Sequence, residues 1–333
     1  MYKPNEIKTN EQLSGFLRCS PRVLPILRKK EDGISIYRIP KKNRLKGYRV
    51  VYRVNNYIIS DALKCLKFEL SKLYHADEWV GGFVAGRNIA YNAKFHLNKN
   101  FVLNLDITNF FESIPHKTVV SAFEKLGFIN KIAIVLADIV TYNEVLVAGF
   151  NTSPIIANIV CKEMDDDIIS LCMKNNISYS RYADDLSFSG DKIEIFEEIT
   201  EIIQKYGFSI NEAKTRIYKR GQSQYVTGLT VADKTIPRVP RKIKKSLRAA
   251  IHYSKTYGLL SHVEHVHGTY LQNSYMSDTF CKKEAARIMG MIHYINGIEP
   301  VFAHKCIAEL KQVMDSEDRE YFENADMYVG CRK

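Results

Sequence analysis

Residues 177–189 read ISYSRYADDLSFS, in which two short segments of alternating character flank a pair of adjacent aspartates. Alternation with a period of two is typical of strands, so the pattern predicts a β-hairpin with Asp184 and Asp185 at its tip. Two carboxylates held side by side repel each other. A bound cation relieves that repulsion, and Mg²⁺ is the oxygen-seeking cation of phosphate chemistry. The alternative is an acidic surface turn, because a match of a few residues also arises by chance.

A second acid in a suitable setting favours the metal site. Asp106 follows the short apolar segment 101–105, which predicts a buried strand. A carboxylate at the end of such a strand is costly unless it is paired or metal-bound. If this strand lies beside the hairpin, Asp106, Asp184 and Asp185 converge. Three acids can hold two Mg²⁺ ions, one to activate a 3′ or 2′ hydroxyl and one to stabilise the leaving pyrophosphate.

The motifs around these acids resemble those of reverse transcriptases, and specifically of bacterial retron reverse transcriptases, over roughly residues 35–310. Asp106 matches the first catalytic aspartate of the family, and residues 182–185 match its catalytic box. Two further segments narrow the group: residues 92–96 match the NAxxH motif of retron enzymes, and residues 226–228 match their VTG motif. Their order and spacing around the catalytic acids make coincidence a poor explanation.

The resemblance implies an α+β right-hand polymerase fold, with fingers, a palm built from an antiparallel sheet plus helices, and a helical thumb. It implies Mg²⁺ as cofactor, with two ions and with Mn²⁺ as a substitute, and it adds Ile107 to the three aspartates as a metal ligand. Pro237 and Pro240 mark the change to a helical pattern. The expected divisions are an N-terminal helical extension (1–34), the fingers (35–100), the palm (101–235) and the thumb (236–333).

Candidate nucleotide contacts come from side-chain chemistry and from the same resemblance. Arg49 lies in an expected basic hairpin, and arginine suits a triphosphate because it binds phosphate oxygens in a bidentate manner. Phe111 could place a ring under the sugar and exclude a 2′-hydroxyl, the alternative being a core aromatic. Where the family usually carries Pro-Gln-Gly, this chain has VAG at 147–149, and Ala148 cannot make the contact of the glutamine with the nucleotide. The expected nucleotide-binding residues are Arg49, Asn109, Phe110, Phe111, Ala148, Gly149 and Lys214, the last a candidate general acid for pyrophosphate.

The net charge of +11 is concentrated in one part of the chain. Residues 214–255 contain twelve Lys or Arg and one acid, which suggests salt-sensitive binding of a polyanion, although a solvated helix face is the plainer alternative. A basic helix that begins at Arg241 resembles a thumb helix that follows the minor groove of an RNA–DNA hybrid and recognises its shape. The expected RNA- or DNA-binding residues are Asn92, His96, Ser153, Pro154, Val226, Thr227, Gly228, Arg241, Lys242, Lys244, Lys245 and Arg248.

Several polar residues have more than one interpretation. His96 is either a core histidine with a hydrogen-bonded ring or part of a surface that recognises RNA, and the resemblance favours the surface. His262, His265 and His267 have a spacing that could bind Zn²⁺, but no fourth ligand stands out, which favours a structural or RNA-contacting role. In the run 165–167, neighbouring aspartates on a helix point in different directions, so at least two are expected in solvent.

Composition indicates a globular protein of the cytoplasm. The hydrophobic content of 46% and the charged content of 26% are ordinary for such a protein. No apolar run approaches the length of a membrane span, and the first residues lack the apolar core of a signal peptide. The seven cysteines show no C-x-x-C spacing, so we expect reduced thiols.

The resemblance implies RNA-directed DNA synthesis from dNTPs. The partners would be a cognate structured noncoding RNA of the msr–msd type, its msDNA product primed from a 2′-hydroxyl, and a separate effector protein in anti-phage defence. Three alternatives stay open: a group II intron enzyme, for which the chain lacks further domains; an RNA- and msDNA-binding scaffold with weak catalysis; and a nucleotide cyclase, for which fingers and a basic thumb would have no purpose.

Overall fold

The computed structural model describes residues 3–30, 33–41, 47–268, 270, 274–314 and 318–323. It divides into two compact units, Met1–Gln222 and Ser223–Lys333. The first unit contains helices and almost all of the strands, whereas the second is mainly helical. This agrees with the α+β class expected from the sequence. The finer division into fingers, palm and thumb stays a prediction.

Helices in the described residues largely follow the apolar spacing of the sequence, with shifted ends. The apolar spacing after Asn151 predicts a long helix, which begins at Ser153, where Pro154 occupies the first turn and needs no backbone hydrogen-bond partner. The spacing also predicts a helix over 192–206, which begins only at Phe196, because Ile195 is buried in a non-helical conformation just before it. The α-helices are α1 (Asn10–Phe16), α2 (Leu24–Lys29), α3 (Tyr57–Leu73), α4 (Ile89–Ala93), α5 (His116–Lys125), α6 (Asn130–Val140), α7 (Ser153–Lys174), α8 (Phe196–Lys205), α9 (Arg241–Tyr257), α10 (Leu259–His267), α11 (Ser274–Asn296) and α12 (Pro300–Met314).

The strands form one larger sheet and several two-stranded hairpins. The larger sheet is antiparallel and has the order β6-β7-β3-β8, so the strand that ends in Asp106 lies beside the hairpin that carries Asp184 and Asp185. Strand β3 is one of the two inner strands and is the most apolar strand of the sheet. The strands are β1 (Ile34–Pro40), β2 (Tyr48–Val54), β3 (Phe101–Asp106), β4 (Thr141–Tyr142), β5 (Val145–Leu146), β6 (Ser178–Tyr182), β7 (Asp185–Gly190), β8 (Arg216–Lys219), β9 (Tyr225–Val226) and β10 (Leu229–Thr230).

One hydrophobic core lies beneath the sheet of the first unit. It joins apolar residues of β3 and β7 to helices α3, α6 and α7. The N-terminal segment contributes to this core, because Ile7, Leu13 and Leu27 are fully buried in it. The helices there are short, as the two prolines at 21 and 25 require.

The expected basic hairpin of the first unit is present. Strands β1 and β2 pair in antiparallel register, with Ile39 opposite Arg49. The basic sequence of the turn also makes Lys42 a candidate for phosphate contact, but Lys42 lies outside the described residues. Tyr52 and Val54 of β2 pack against the core, whereas most of β1 is exposed, so the hairpin joins the core at the end away from its turn and projects at the other.

The second unit is organised around helix α9 and the buried carboxylate of Glu299. That carboxylate accepts a hydrogen bond from the Val239 backbone N–H at 2.7 Å and pairs with Lys244 at 3.0 Å and Arg238 at 3.3 Å. Burial of a carboxylate is tolerable when it is paired in this way. None of the described helices is both long and apolar enough to cross a membrane.

Candidate active site

The turn between β6 and β7 carries two of the acids. Ala183 occupies it with a φ of +60°, in the left-handed region, and Asp184 follows before Asp185 opens β7. In the sheet, Asp185 of β7 lies opposite Asp106 of β3, and the Ile107 N–H donates to the Asp184 carbonyl at 3.0 Å. Backbone hydrogen bonds therefore hold the three aspartates at one end of two neighbouring strands, as the sequence predicted.

The negative charges of this cluster are only partly compensated. Burial, together with the negative charges of Asp184 and Asp106, raises the pKa of Asp185 to about 6. Burial and the charge of Asp106 also raise the pKa of Asp184, while Lys214 and Arg49 act in the opposite direction. Such a concentration of carboxylates is stabilised by a cation.

A lysine ammonium supplies one such cation. Lys214 Nζ lies 2.7 Å from Asp106 Oδ1, and its side chain is 57% exposed while that of Asp106 is 10% exposed. Lys214 ends a short 3₁₀ helix, Glu212–Lys214. Just before this helix, the Asn211 N–H donates to the Asp106 carbonyl. The exposed ammonium of Lys214 therefore compensates the charge of a largely buried carboxylate, which would be costly to leave without a cation.

The donor set fits a divalent metal of the phosphate-transfer type, since it consists of carboxylate oxygens. Raised pKa values at Asp184 and Asp185 mark the place where positive charge is needed. Within the described chain, no three His, Cys, Asp or Glu side chains already stand as a preformed metal site, and Asp106 holds Lys214 instead. Metal binding would therefore exchange the ammonium for the ion.

The structure brings several of the expected nucleotide contacts towards this cluster. Arg49 is exposed on β2 and acts electrostatically on Asp184. Asn109 is exposed in a left-handed turn with a φ of +47°. Phe110 is buried against Phe208, with ring centres 5.9 Å apart, so the core interpretation applies to it. Phe111 is half-buried, 5.4 Å from the ring of Phe110, and presents the remaining ring surface.

The segment that departs from the family pattern packs on the basic hairpin. The Tyr52 N–H donates to the Ala148 carbonyl at 2.8 Å. Gly149 has a φ of +115°, and a Cβ there would lie 2.1 Å from the Tyr52 carbonyl oxygen, so only glycine fits. Ala148 is half-buried, and its backbone joins this contact.

The residues at the start of α7 have mixed settings. Ser153 is buried and donates from Oγ to the Val147 carbonyl at 2.6 Å, which ties α7 to the preceding segment. Pro154 is half-buried in the first turn. Ser153 thus has no surface to offer a nucleic acid, whereas Pro154 retains some.

Asn92 and His96 were expected on a surface that contacts RNA, but the structure places them in the interior. Both side chains are fully buried. The His96 ring lies 2.7 Å from Ser189 Oγ and 2.8 Å from Ser180 Oγ, so it bridges the two strands of the catalytic hairpin. Burial lowers its pKa to about 3, which keeps the ring neutral. The alternative of a core histidine with a hydrogen-bonded ring is the correct one.

Sequence reasoning missed a buried polar cluster directly behind the turn. Arg181 and Asp165 form an ion pair at 2.7 Å with side chains 0% and 1% exposed. Asn158 accepts from Arg181 and donates to the Gly82 carbonyl, both at 3.0 Å. A Cβ at Gly82 would lie 2.3 Å from the Ala183 nitrogen. The signal that could have found the cluster is an arginine within an otherwise strand-like segment, because a buried arginine needs an acid.

The expected nucleic-acid residues of the second unit divide into two groups. Val226 is buried at the end of β9, and Thr227 and Gly228 have φ values of +47° and +82°. They form the two-residue turn to β10, where left-handed backbone is the favoured geometry. Lys244 is largely buried on Glu299 and is therefore not available to a phosphate, contrary to expectation. The exposed cations of α9 are Arg241, Lys242, Lys245, Arg248 and Lys255, of which the first four were expected to contact nucleic acid.

The three histidines of α10 meet different neighbours. His262 is buried, with Nε2 2.9 Å from Glu284. His265 stacks on Tyr253 with ring centres 5.1 Å apart, and His267 lies 4.7 Å from the ring of Phe280. Each of the three rings therefore contacts a different neighbouring side chain.

Comparison with known proteins finds one matching family and several similar proteins. Residues 39–255 match the family described as reverse transcriptase (RNA-dependent DNA polymerase). The retron Ec86 reverse transcriptase of Escherichia coli is 32% identical over 237 residues, covering 70% of this chain and 73% of that protein. The retron Mx65 reverse transcriptase of Myxococcus xanthus is 30% identical over 255 residues, covering 70% of this chain and 58% of that protein. Among solved structures, telomerase from Candida albicans in complex with a TWJ fragment of telomeric RNA has a TM-score of 0.47 at 13% identity, covering 88% of this chain and 60% of that chain.

Proposed function

This chain belongs to the reverse transcriptases, and within them to the retron reverse transcriptases; on that premise we propose that it copies part of a cognate structured noncoding RNA of the msr–msd type into msDNA. The observation that carries the proposal is the register of the sheet, in which Asp106 lies opposite Asp185 at the tip of the hairpin. Priming would come from a 2′-hydroxyl of the same RNA, and dNTPs would be the substrates.

Asp106, Asp184 and Asp185 would hold the divalent metal, together with the backbone of Ile107. We propose two Mg²⁺ ions, with Mn²⁺ as a substitute, and these supply hydroxyl activation and stabilisation of the leaving pyrophosphate. Lys214, whose exposed ammonium lies beside Asp106, would give a proton to the leaving pyrophosphate. The high pKa of the Asp185 carboxyl means that metal binding also displaces a proton at mildly acidic pH.

The remaining residues of the first unit would bind and orient the nucleotide. Arg49, on the projecting hairpin, would contact the triphosphate. The exposed part of the Phe111 ring would lie under the sugar and discriminate against a 2′-hydroxyl. The proposed nucleotide site consists of Arg49, Asn109, Phe110, Phe111, Ala148, Gly149 and Lys214, of which Phe110 acts by packing behind Phe111.

Nucleic-acid contact in the second unit would rest on the exposed cations of α9. Four of these, Arg241, Lys242, Lys245 and Arg248, are the proposed contacts, and α9 contains no acid. Such a face binds a phosphate backbone by charge and by the shape of the duplex. The turn at Thr227 and Gly228 and the partly exposed Pro154 are further contact points in the proposal.

The biological setting follows from family membership. We propose that the enzyme acts in the cytoplasm, together with its noncoding RNA and a separate effector protein, in defence against phage. Six cysteines are free thiols in the described residues, which supports a reducing compartment. We retain the divisions 35–100, 101–235 and 236–333 as fingers, palm and thumb.

The proposal is tested by expressing the chain with its native upstream noncoding sequence and extracting nucleic acid. Half of the extract is treated with RNase, and all of it is run on a denaturing gel beside the Asp184→Asn/Asp185→Asn variant. We expect a short, abundant DNA that shifts on RNase treatment and is absent from the variant. Copurifying RNA without DNA from the wild type would overturn the proposal and favour the RNA-binding scaffold.

A further inference from the structure

We propose that Arg181 is a positioning residue that holds the turn carrying Asp184 and Asp185 in its metal-binding conformation. Its guanidinium joins the buried Asp165 carboxylate to the carbonyl of Ala183, inside the turn. The inference rests on the proposed function, because it concerns the same metal site. It assigns a role to a residue that touches neither metal nor nucleotide.

The ion pair anchors the guanidinium from below. Arg181 Nε lies 2.9 Å from Asp165 Oδ1 and Nη2 lies 2.7 Å from Oδ2, a two-pronged arrangement that fixes the plane of the group. The Tyr179 hydroxyl donates to Asp165 Oδ1 at 2.7 Å and orients the carboxylate. Because both charged side chains are essentially excluded from water, neither has an alternative partner in solvent.

The remaining nitrogen of the guanidinium reaches the turn. Nη1 donates to Asn158 Oδ1 at 3.0 Å and to the Ala183 carbonyl at 3.3 Å. Ala183 has a φ of +60°. Left-handed backbone disfavours a non-glycine residue by roughly 5- to 30-fold in population. The hydrogen bond therefore acts on the one residue of the catalytic box whose conformation needs support.

The opposite side of the turn is held by the segment 79–82. The Arg181 backbone donates to the Trp79 carbonyl and accepts from the Gly81 N–H, both at 2.8 Å. Asn158 links this segment to the guanidinium through its bond to the Gly82 carbonyl. The turn is thus enclosed between a fixed backbone and a fixed guanidinium, and the two aspartates project from it.

The competing explanation is that the pair stabilises the core and has no specific effect on the turn. Lysine separates the two explanations. An ammonium can pair with Asp165, but it is a point charge and cannot span both Asp165 and the Ala183 carbonyl. Arg181→Lys should therefore preserve much of the core while releasing the turn. Arg28→Lys is the matched control, since Arg28 makes a two-nitrogen contact of 2.7 Å with Asp138 on α6.

The experiment measures Mn²⁺ binding by the electron paramagnetic resonance signal of the free ion, on full-length protein with its melting temperature recorded beside it. We expect Arg181→Lys to bind Mn²⁺ about 5- to 30-fold more weakly than wild type, in proportion to the left-handed penalty. Arg28→Lys should bind like wild type. Because no DNA synthesis is required, a failure of this inference is distinguishable from a failure of the proposed function.

A second substitution that should restore Mn²⁺ binding makes the test more specific. Glycine adopts a positive φ without penalty, so Ala183→Gly added to Arg181→Lys should return Mn²⁺ affinity to within about threefold of wild type. Wild-type affinity in Arg181→Lys would overturn the inference. So would a weakened affinity that Ala183→Gly does not restore, because that result follows from general destabilisation of the core.

A second variant covers the case in which Arg181→Lys does not fold. Arg181→Gln/Asp165→Asn removes both buried charges together, so no uncompensated charge remains, and glutamine is too short to reach the side chain at position 165 and the turn at once. The same loss of Mn²⁺ affinity and the same recovery with Ala183→Gly are expected. Wild-type affinity in this double variant overturns the inference.

Discussion

Gly82→Ala tests how closely the catalytic turn is packed. A Cβ at position 82 would lie 2.3 Å from the Ala183 nitrogen, whereas ordinary contacts begin at 3.4 Å, so the two backbones must separate by about 1.1 Å. The segment cannot withdraw freely, because the Asn158 side chain holds the Gly82 carbonyl at 3.0 Å and the Arg181 carbonyl holds the Gly81 N–H at 2.8 Å. Most of the displacement therefore falls on the turn that carries Asp184.

A misplacement of about 1 Å costs on the order of 100-fold in rate when reacting groups must be aligned. We expect kcat for extension of a primed RNA template to fall by about that factor in Gly82→Ala. The melting temperature should also fall, because the added methyl group meets backbone atoms of a buried site. Gly290→Ala is the control, because no atom lies within 4 Å of a Cβ placed there, inside helix α11. A kcat for Gly82→Ala within about threefold of wild type would refute the claim that the turn must be held to ångström precision.

Further predictions concern stability and charge. Burial lowers the pKa of His96 to about 3 from 6.5, so between these pH values the unfolded chain binds a proton that the folded protein does not. The free energy of unfolding should therefore fall by up to ~1.4 kcal/mol for each unit by which the pH is lowered through that range. Urea denaturation at pH 7.5 and 5.0 checks this, and His96→Gln should lose that dependence; an equal dependence contradicts the assignment. Asp184→Asn removes a repelling charge, so the metal-free variant should melt higher than wild type while DNA synthesis is lost; a lower melting temperature speaks against the proposed repulsion. Lys244→Met leaves the buried Glu299 with one partner fewer and should lower the melting temperature with an unchanged salt dependence of RNA binding. Lys245→Gln should lower the magnitude of the salt slope by about one unit and leave melting unchanged; the reverse pattern contradicts the assignment of these two lysines.

The sequence predicted the central part of the site because local pattern and chemistry agree there. Alternation around residues 177–189 identified the hairpin, and the apolar run before Asp106 identified its neighbouring strand. The α+β class and the right-hand polymerase fold are confirmed by the structure and by the family match over residues 39–255. The roles of individual nucleotide and RNA contacts stay predictions.

What the sequence could not give is the setting of polar residues that lie far apart along the chain. Motif position suggested that Asn92 and His96 face RNA, but the helix that carries them packs behind the hairpin, where Ser180 and Ser189 take up the ring. Lys244 looked like its neighbour Lys245, and only the fold shows that Glu299 neutralises it. Partners such as these are separated by more than fifty residues, which a local pattern does not encode.

The most direct test of the account is extension of a DNA primer on an RNA template by the purified chain, with and without Mg²⁺, beside Asp184→Asn. The account predicts extension by the wild type that requires Mg²⁺ or Mn²⁺ and is absent from the variant, because Asp184 helps to hold the metal. Extension by Asp184→Asn at the wild-type rate, or extension by the wild type after complete removal of divalent metal, would contradict it.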